Sequence, residues 1–204
     1  MTYKIAHLAD VHIKNLKYHY EYRHVFNQLY AILRKNEVDY IYIGGDIAHT
    51  KTQISPEFVQ LCSELFTNLA EIAPLYIILG NHDGNLRNKS RQDAITPIVN
   101  ALDNPNIHLL AAAGETIVTD DLAFNVLSVF DEDNWVKPSS EDRINIAFYH
   151  GCVAGVQTDA GWVMEYGDHD VSIFAGHDFA MLGDIHKTNQ ILDEDGRVRY
   201  CGSI

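Results

Sequence analysis

Five short elements recur along this chain in an order that invites metal chemistry. They are Asp10-Val11-His12, Gly45-Asp46, Gly80-Asn81-His82-Asp83, His150-Gly151 and Gly183-Asp184-Ile185-His186. Between them, Asp10, His12, Asp46, Asn81, His150, Asp184 and His186 offer carboxylate, amide and imidazole donors. Such a mixed set suits divalent ions, manganese first with magnesium, iron or cobalt as substitutes, and argues against a closed cysteine-rich zinc site. Each element alone is weak, because an Asp-x-His triplet or a Gly-Asp pair arises readily by chance in a turn. Five in sequence, each after a β-type apolar run or inside a glycine turn, are harder to dismiss.

The runs that must position them are residues 3–8, 40–43, 75–79, 144–149 and 179–182, short and rich in aliphatic and aromatic side chains, as buried strands are. Ligands would then gather along one edge of a sheet. Between the strands, Val25, Leu29, Ile32 and Leu33 have helical spacing. A second helix begins at Ser55-Pro56-Glu57, where Ser is a good N-cap, Pro suits the first turn and Glu complements the dipole. Its apolar face is Phe58, Leu61, Cys62, Leu65, Phe66 and Leu69, with Pro74 as its stop. A third helix is expected over about 92–102, leading into a strand at 107–110. From Glu115 onward the pattern is strands and turns, at 116–118, 124–129, 144–149, 171–174 and 179–182. A hairpin follows, 190–192 and 198–200, turning at Asp193-Glu194-Asp195-Gly196. The acidic stretch 131–142 reads as an exposed loop.

At 204 residues the chain is long enough for one domain, 1–204, with a sizeable core. No stretch is apolar enough to span a bilayer and no leader precedes the first strand, so a soluble, cytoplasmic protein without membrane contact is expected. Three cysteines, Cys62, Cys152 and Cys201, form no C-x-x-C pair and leave one over in any disulfide scheme, which fits a reducing compartment. Cys62 lies on a helix face and reads as core; Cys152, two residues after His150, reads as a small buried hydrophobe before a thiol ligand. A net charge of −13 excludes a general polyanion-binding surface. Lys14, Lys17, Arg23, Arg87, Lys89 and Arg91 nevertheless fall in or near the loops after the first and third motifs, so contact with any polyanion would be local and metal-assisted.

The five elements resemble the signature of the calcineurin-like metallophosphoesterase superfamily, D-x-H, G-D, G-N-H-[DE], H and G-H-x-H. Leu8-Ala9-Asp10-Val11-His12, Gly45-Asp46-Ile47-Ala48-His49, Leu79-Gly80-Asn81-His82-Asp83 and Leu182-Gly183-Asp184-Ile185-His186-Lys187 are similar, more narrowly, to the SbcD-type nuclease subunits of double-strand-break repair and their phage relatives. The resemblance implies an α/β fold, a four-layer α/β/β/α sandwich of two mixed β-sheets flanked by helices. It implies a metal-dependent DNA phosphodiesterase, exo- or endonuclease, acting through a two-metal-activated hydroxide, in the host cytoplasm if phage-encoded. It implies one cation on Asp10, His12, Asp46 and His186, and another on Asp46, Asn81, His150 and Asp184, with Asp46 the bridge. Asp184 stands where the family usually has His.

By the same resemblance, His82 stabilises the transition state and helps protonate the leaving oxygen, and His49 matches a histidine that supports exonuclease action. Asp83 is expected beside His82, setting its tautomer. His7 reads as a core or supporting residue; His19, His24, His108 and His169 read as surface or packing residues. Gly176-His177-Asp178 imitates a metal motif but precedes its strand rather than following it, so His177 is not expected to be a ligand. The implied partners are DNA and a coiled-coil SbcC-type ATPase, and a homodimer is compatible. The family's capping and ATPase-binding regions are expected to be absent from this chain, so residues 1–204 should bind DNA weakly. The competing readings are a phosphatase or phosphodiesterase acting on a small molecule or protein, and a metal-poor scaffold for an ATPase.

Overall fold

The computed structural model describes residues 2–158 and 160–204. The described residues form ten strands and three α-helices, and in the first half four strands alternate with the three helices: β1 (Ile5–Leu8), α1 (His19–Asn36), β2 (Tyr40–Ile43), α2 (Pro56–Ala70), β3 (Leu75–Ile77), α3 (Thr96–Leu102) and β4 (Ile107–Leu109). The second half is strands: β5 (Gly114–Thr119), β6 (Leu122–Leu127), β7 (Ile144–His150), β8 (Phe179–Gly183), β9 (Gln190–Ile191) and β10 (Val198–Tyr200).

The first sheet has order β1-β2-β3-β4 and is wholly parallel, each step crossing through a helix. The second has order β5-β6-β7-β8-β10-β9, with antiparallel pairs only at its two edges, so it alone is mixed. Period-two alternation makes the layers. Ile41, Ile43, Leu75 and Ile77 pack with Phe26, Leu33, Phe58 and Phe66 on the helices. Tyr42, Tyr76 and Ile78 turn the other way, onto Phe124, Ile146 and Phe148 of the second sheet. Tyr42 and Phe148 stack across that seam with ring centroids 3.7 Å apart. His7 ties the sheets directly, its Nε2 lying 3.1 Å from the Leu182 carbonyl. The outer face of the second sheet, Leu127, Ala147, Tyr149 and Leu182, is covered by Val153, Val156 and Phe174. The result is an α/β sandwich of two sheets flanked by helices, with loop and 3-10 structure making most of the outermost layer on that side.

Ser55 caps α2 as expected, accepting from Phe58 N at 3.1 Å, and the whole anticipated apolar face of that helix is buried. Three expectations need correction. On α1 the buried residues are Phe26, Tyr30 and Leu33, whereas Val25 and Ile32 are exposed. The stripe is carried by aromatics that an aliphatic count passes over. Residues 171–174 form a 3-10 turn, Val171–Phe174, capped by the Asp170 carboxylate on Ser172 N, rather than a strand. And α3 begins at Thr96, because Asp93 accepts from Ile95 N and from Thr96 N and fixes the start there. Among the described residues no helix is long and apolar enough to cross a membrane.

Candidate metal centre

The carboxyl ends of β1, β2, β3, β7 and β8 and the loops that leave them carry every anticipated ligand, His150 as the last residue of β7, and they meet at one edge of the sandwich, where open α/β folds place their ligands. Backbone bonds clasp the loops together. Asp10 N donates to Gly45 O at 3.1 Å, His12 N to Asp46 O at 3.0 Å and Gly151 N to Gly183 O at 3.2 Å. The chain takes strained turns to do this: Asp10, His12, Asp46 and Asp184 all have positive φ, at 55°, 48°, 53° and 100°. Such conformations cost of order 1–3 kcal/mol each and persist where surrounding structure over-determines them. Gly80 is required by crowding, since a Cβ there would run into Asp46 and the His150 ring.

Asp46 is the hub. Its Oδ1 accepts from His82 N at 2.8 Å and lies 3.3 Å from His150 Nε2, while Oδ2 lies 3.6 Å from His12 Nε2. On one side, His12 Nε2 faces His186 Nε2 at 3.0 Å and Asp10 Oδ1 at 4.0 Å. On the other, Asp184 Oδ1 lies 3.7 Å from His150 Nε2 and accepts from Asn81 Nδ2 at 3.3 Å. Both Asp10 oxygens accept from Asp184 N, at 3.2 and 3.1 Å, joining the two sides. Donor atoms of Asp10, His12 and His186, those of His12, Asp46 and His82, and those of Asp10, Asp46 and His150 lie, within each group, no more than 4.8 Å from one another. All seven candidates are thus gathered at one place, Asp184 included.

The electrostatics fit a cation. Burial raises the Asp10 carboxyl to about 6. It would raise Asp46 too, but His150 and the His82 N–H hold Asp46 below the usual range. Burial alone would lower His150; Asp46, then Asp184 and Asp10, raise it to about 10. Burial lowers His12 to about 4, which leaves its imidazole neutral and able to ligate. His150 Nε2 is buried with no hydrogen-bond partner, while Nδ1 donates to Gly44 O at 2.7 Å and so points Nε2 at Asp46. Buried carboxylates facing the unpartnered His150 Nε2 and the neutral His12 ring are a donor set that fits divalent metal.

His82 and His49 border this cluster. His82 Nδ1 lies 2.7 Å from the His49 carbonyl oxygen and must donate to it, which leaves Nε2 free on a side chain that lines the cleft. The expected Asp83 partner for His82 is therefore replaced by a backbone carbonyl. Asp83 is fully buried and accepts instead from Ala48 N at 2.8 Å and Gly80 N at 2.9 Å, tying the loop after β2 to the loop after β3. The His49 ring, 6.2 Å from that of His82 and 5.7 Å from that of His12, flanks the cleft without joining the donor groups. His177 stays outside, its Nδ1 3.2 Å from the Phe174 carbonyl, and Cys152 places Sγ 3.4 Å from Met164 Sδ. Sequence reasoning missed Tyr22, whose hydroxyl donates to the His12 carbonyl at 2.7 Å and lines the cleft, and Lys51, whose ammonium donates to Asn81 O at 2.6 Å. Tyr22 was legible as the residue one turn before Phe26 on the buried stripe of α1.

The sequence matches the calcineurin-like phosphoesterase family over residues 3–187. It is 38% identical over 215 residues to the uncharacterized protein R555 of Acanthamoeba polyphaga mimivirus, an alignment covering 98% of this chain and spanning 16% of the length of that relative. The crystal structure of Pseudomonas putida nuclease MPE aligns at 19% identity over 71% of this chain and 60% of that one, with a TM-score of 0.36. With its five motif loops gathered around one donor cluster, this chain belongs to the calcineurin-like phosphoesterases, a family of metal-dependent hydrolases.

Proposed function

We propose that this chain is a metal-dependent DNA phosphodiesterase, the nuclease component of a DNA end-processing system. The observation that carries the reading is the grouping of His82, its Nδ1 engaged by His49 O, beside an Asp46-centred donor set in an open cleft. When bound, two divalent cations would supply Lewis acidity toward the phosphoryl group and toward the attacking water. Asp10, His12, Asp46 and His186 would hold one, and Asp46, Asn81, His150 and Asp184 the other. The chain's own contribution is placement and proton handling. His82 enters the reaction with one ring nitrogen already satisfied, so its free Nε2 is the atom that can carry a proton to the departing oxygen. Lys14 lines the same cleft and offers an ammonium donor to a phosphate oxygen, while Tyr22, its proton engaged by the His12 carbonyl, shapes the wall. Manganese as the preferred ion follows from the oxygen and imidazole donors. An SbcC-type ATPase partner rests on motif resemblance alone, and co-expression with such a subunit addresses it.

The test is hydrolysis of linear duplex DNA, single-stranded DNA and an aryl phosphodiester, each with manganese and with excess chelator. DNA cleavage that chelator abolishes is the expected result. Full activity in chelator removes the metal reading, and cleavage of the aryl ester with no DNA substrate touched removes the nuclease reading while leaving the metal centre in place.

A further inference from the structure

A second hollow, of about 420 Å³, adjoins the metal-ligand cluster and is lined by Lys51, Asn81, His82, Asn85, Leu86 and Arg87. His82 also lines the cleft that holds His12, Asp46, Asp184 and His186, so the two hollows share a wall. The charge of the second hollow differs from that of the rest of the molecule, for its lining holds Lys51 and Arg87 and no carboxylate. The chain has 28 acidic residues against 15 Lys and Arg, yet the loop 85–91 contains Arg87, Lys89 and Arg91 and no acid. Lys51 is pinned at the edge of the donor cluster by its 2.6 Å bond to Asn81 O, which engages one ammonium proton and leaves two. Asn85 Oδ1 accepts from Arg87 N at 3.0 Å and Asn88 N at 3.3 Å, which fixes the turn carrying the guanidinium. Among the described residues the Lys and Arg ion pairs join Arg23 to Glu64 and Arg197 to Asp195; neither Lys51 nor Arg87 has a carboxylate partner.

Two uncompensated cations thus stand beside the donor cluster in an otherwise acidic chain. We propose that Lys51 and Arg87 bind the phosphate next along the strand from the one being cut. The substrate is then a polynucleotide strand rather than a phosphomonoester or an isolated diester. This deepens the function proposed above and rests on it. The contact is charge-assisted and can be bidentate at Arg87, and because it reads only the backbone it imposes no base preference. It also explains how a chain of net charge −13 can engage a polyanion: attraction is confined to one hollow beside the chemistry.

The experiment uses the full chain and pentathymidylates in which one phosphate at a time is replaced by a neutral methylphosphonate. Cleavage (kcat and KM separately) is measured with manganese, and binding of the same strands by anisotropy in chelator. Neutralising one particular phosphate beside the scissile bond should lower kcat/KM of the wild type roughly 10- to 100-fold, the range for hydrogen bonds to a charged group, mostly through KM. Arg87→Gln and Lys51→Gln should each lose activity on the unmodified strand and be less sensitive to that same replacement, since the interaction is already gone. Lys35→Gln, the same charge change at the far end of α1, should behave as wild type. If oligonucleotides are cut but no flanking phosphate matters, or the variants remain fully sensitive to its replacement, the subsite is overturned while the nuclease reading stands. If only an aryl diester is cut, both the nuclease reading and the subsite fall and the metal centre survives.

Discussion

The imidazole of His82 is held by the backbone of His49: Nδ1 lies 2.7 Å from that carbonyl oxygen. A carbonyl can only accept, so the neutral ring carries its proton on Nδ1 and offers Nε2 toward the cleft as base, or as acid once a second proton is taken up. The anchor belongs to the main chain of residue 49 and survives any substitution of that side chain.

His82→Asn should therefore lower DNA cleavage by about 10²- to 10⁴-fold, the usual contribution of a positioned acid or base, while bound metal is unchanged. His49→Ala should cost much less, because the carbonyl that orients His82 remains. Steady-state kinetics with metal analysis of the dialysed proteins separates these outcomes. Loss of metal from His82→Asn would show His82 to be a ligand, and equal losses in the two variants would make the His49 ring a participant in its own right.

Asp46 lies between the two halves of the donor set, 3.6 Å from His12 Nε2 and 3.3 Å from His150 Nε2, whereas the carboxylate of Asp184 approaches the half that contains His150 and Asn81. Asp46→Ala should consequently retain neither ion and Asp184→Ala only one. Asp184→His should restore the second and make zinc more competitive against manganese, as imidazole replaces a carboxylate. Metal content after dialysis in mixed manganese and zinc is the measurement. Two full equivalents in Asp184→Ala would remove Asp184 from the ligand set.

How much of this was legible beforehand follows from what each feature depends on. The meeting of Asp10, Asp46, Asn81, His150 and His186 at one place was readable because each lies at or just past the end of a strand, and parallel strands deliver their carboxyl ends to one edge whatever the order of the sheet. What was not readable depends on contacts between loops. Asp83 adjoins His82 in sequence, which suggested a pair, but its carboxylate turns inward to two backbone N–H groups, one of them 35 residues away in the loop after β2. Lys51 gave no signal because its partner is the carbonyl of Asn81, and a backbone acceptor has no sequence signature. The aliphatic residues Val25 and Ile32 misplaced the face of α1, since Tyr22 and Tyr30 bury rings while keeping a hydroxyl for polar contact.

Because Asp83 closes the loops on either side of the metal centre, Asp83→Asn tests a positioning role. Asparagine can accept from Ala48 N or from Gly80 N, but its amide nitrogen would confront the other donor. One buried N–H is left unpaired, at about 1–3 kcal/mol. The expected result is a lower denaturation midpoint together with weaker metal binding by titration, and little change in kcat once metal saturates. If metal affinity is untouched while stability falls, Asp83 holds the fold alone. If saturating metal leaves kcat depressed, it acts on the chemistry.

The last prediction concerns the seam between the sheets. His7 reaches from β1 to the Leu182 carbonyl on β8 at 3.1 Å, so Nε2 carries a proton and donates it. Burial lowers its pKa from 6.5 to about 4, the bond to Leu182 only partly opposing that shift. Between those values the unfolded chain binds a proton at this residue and the folded chain does not, so stability rises with pH across the window. The contribution is fully present above about pH 6.5 and is lost as pH falls toward 4, by up to about 3 kcal/mol. Metal-site groups titrate over the same range, and a difference between proteins isolates His7: His7→Gln keeps an N–H for Leu182 O but cannot titrate. Urea denaturation of both proteins in excess chelator, from pH 7.5 to 4, should give a wild type that loses stability faster than the variant below pH 6.5. Parallel curves would mean that the seam opens enough to let His7 protonate in the folded state, and that the contact between β1 and β8 does not exclude water.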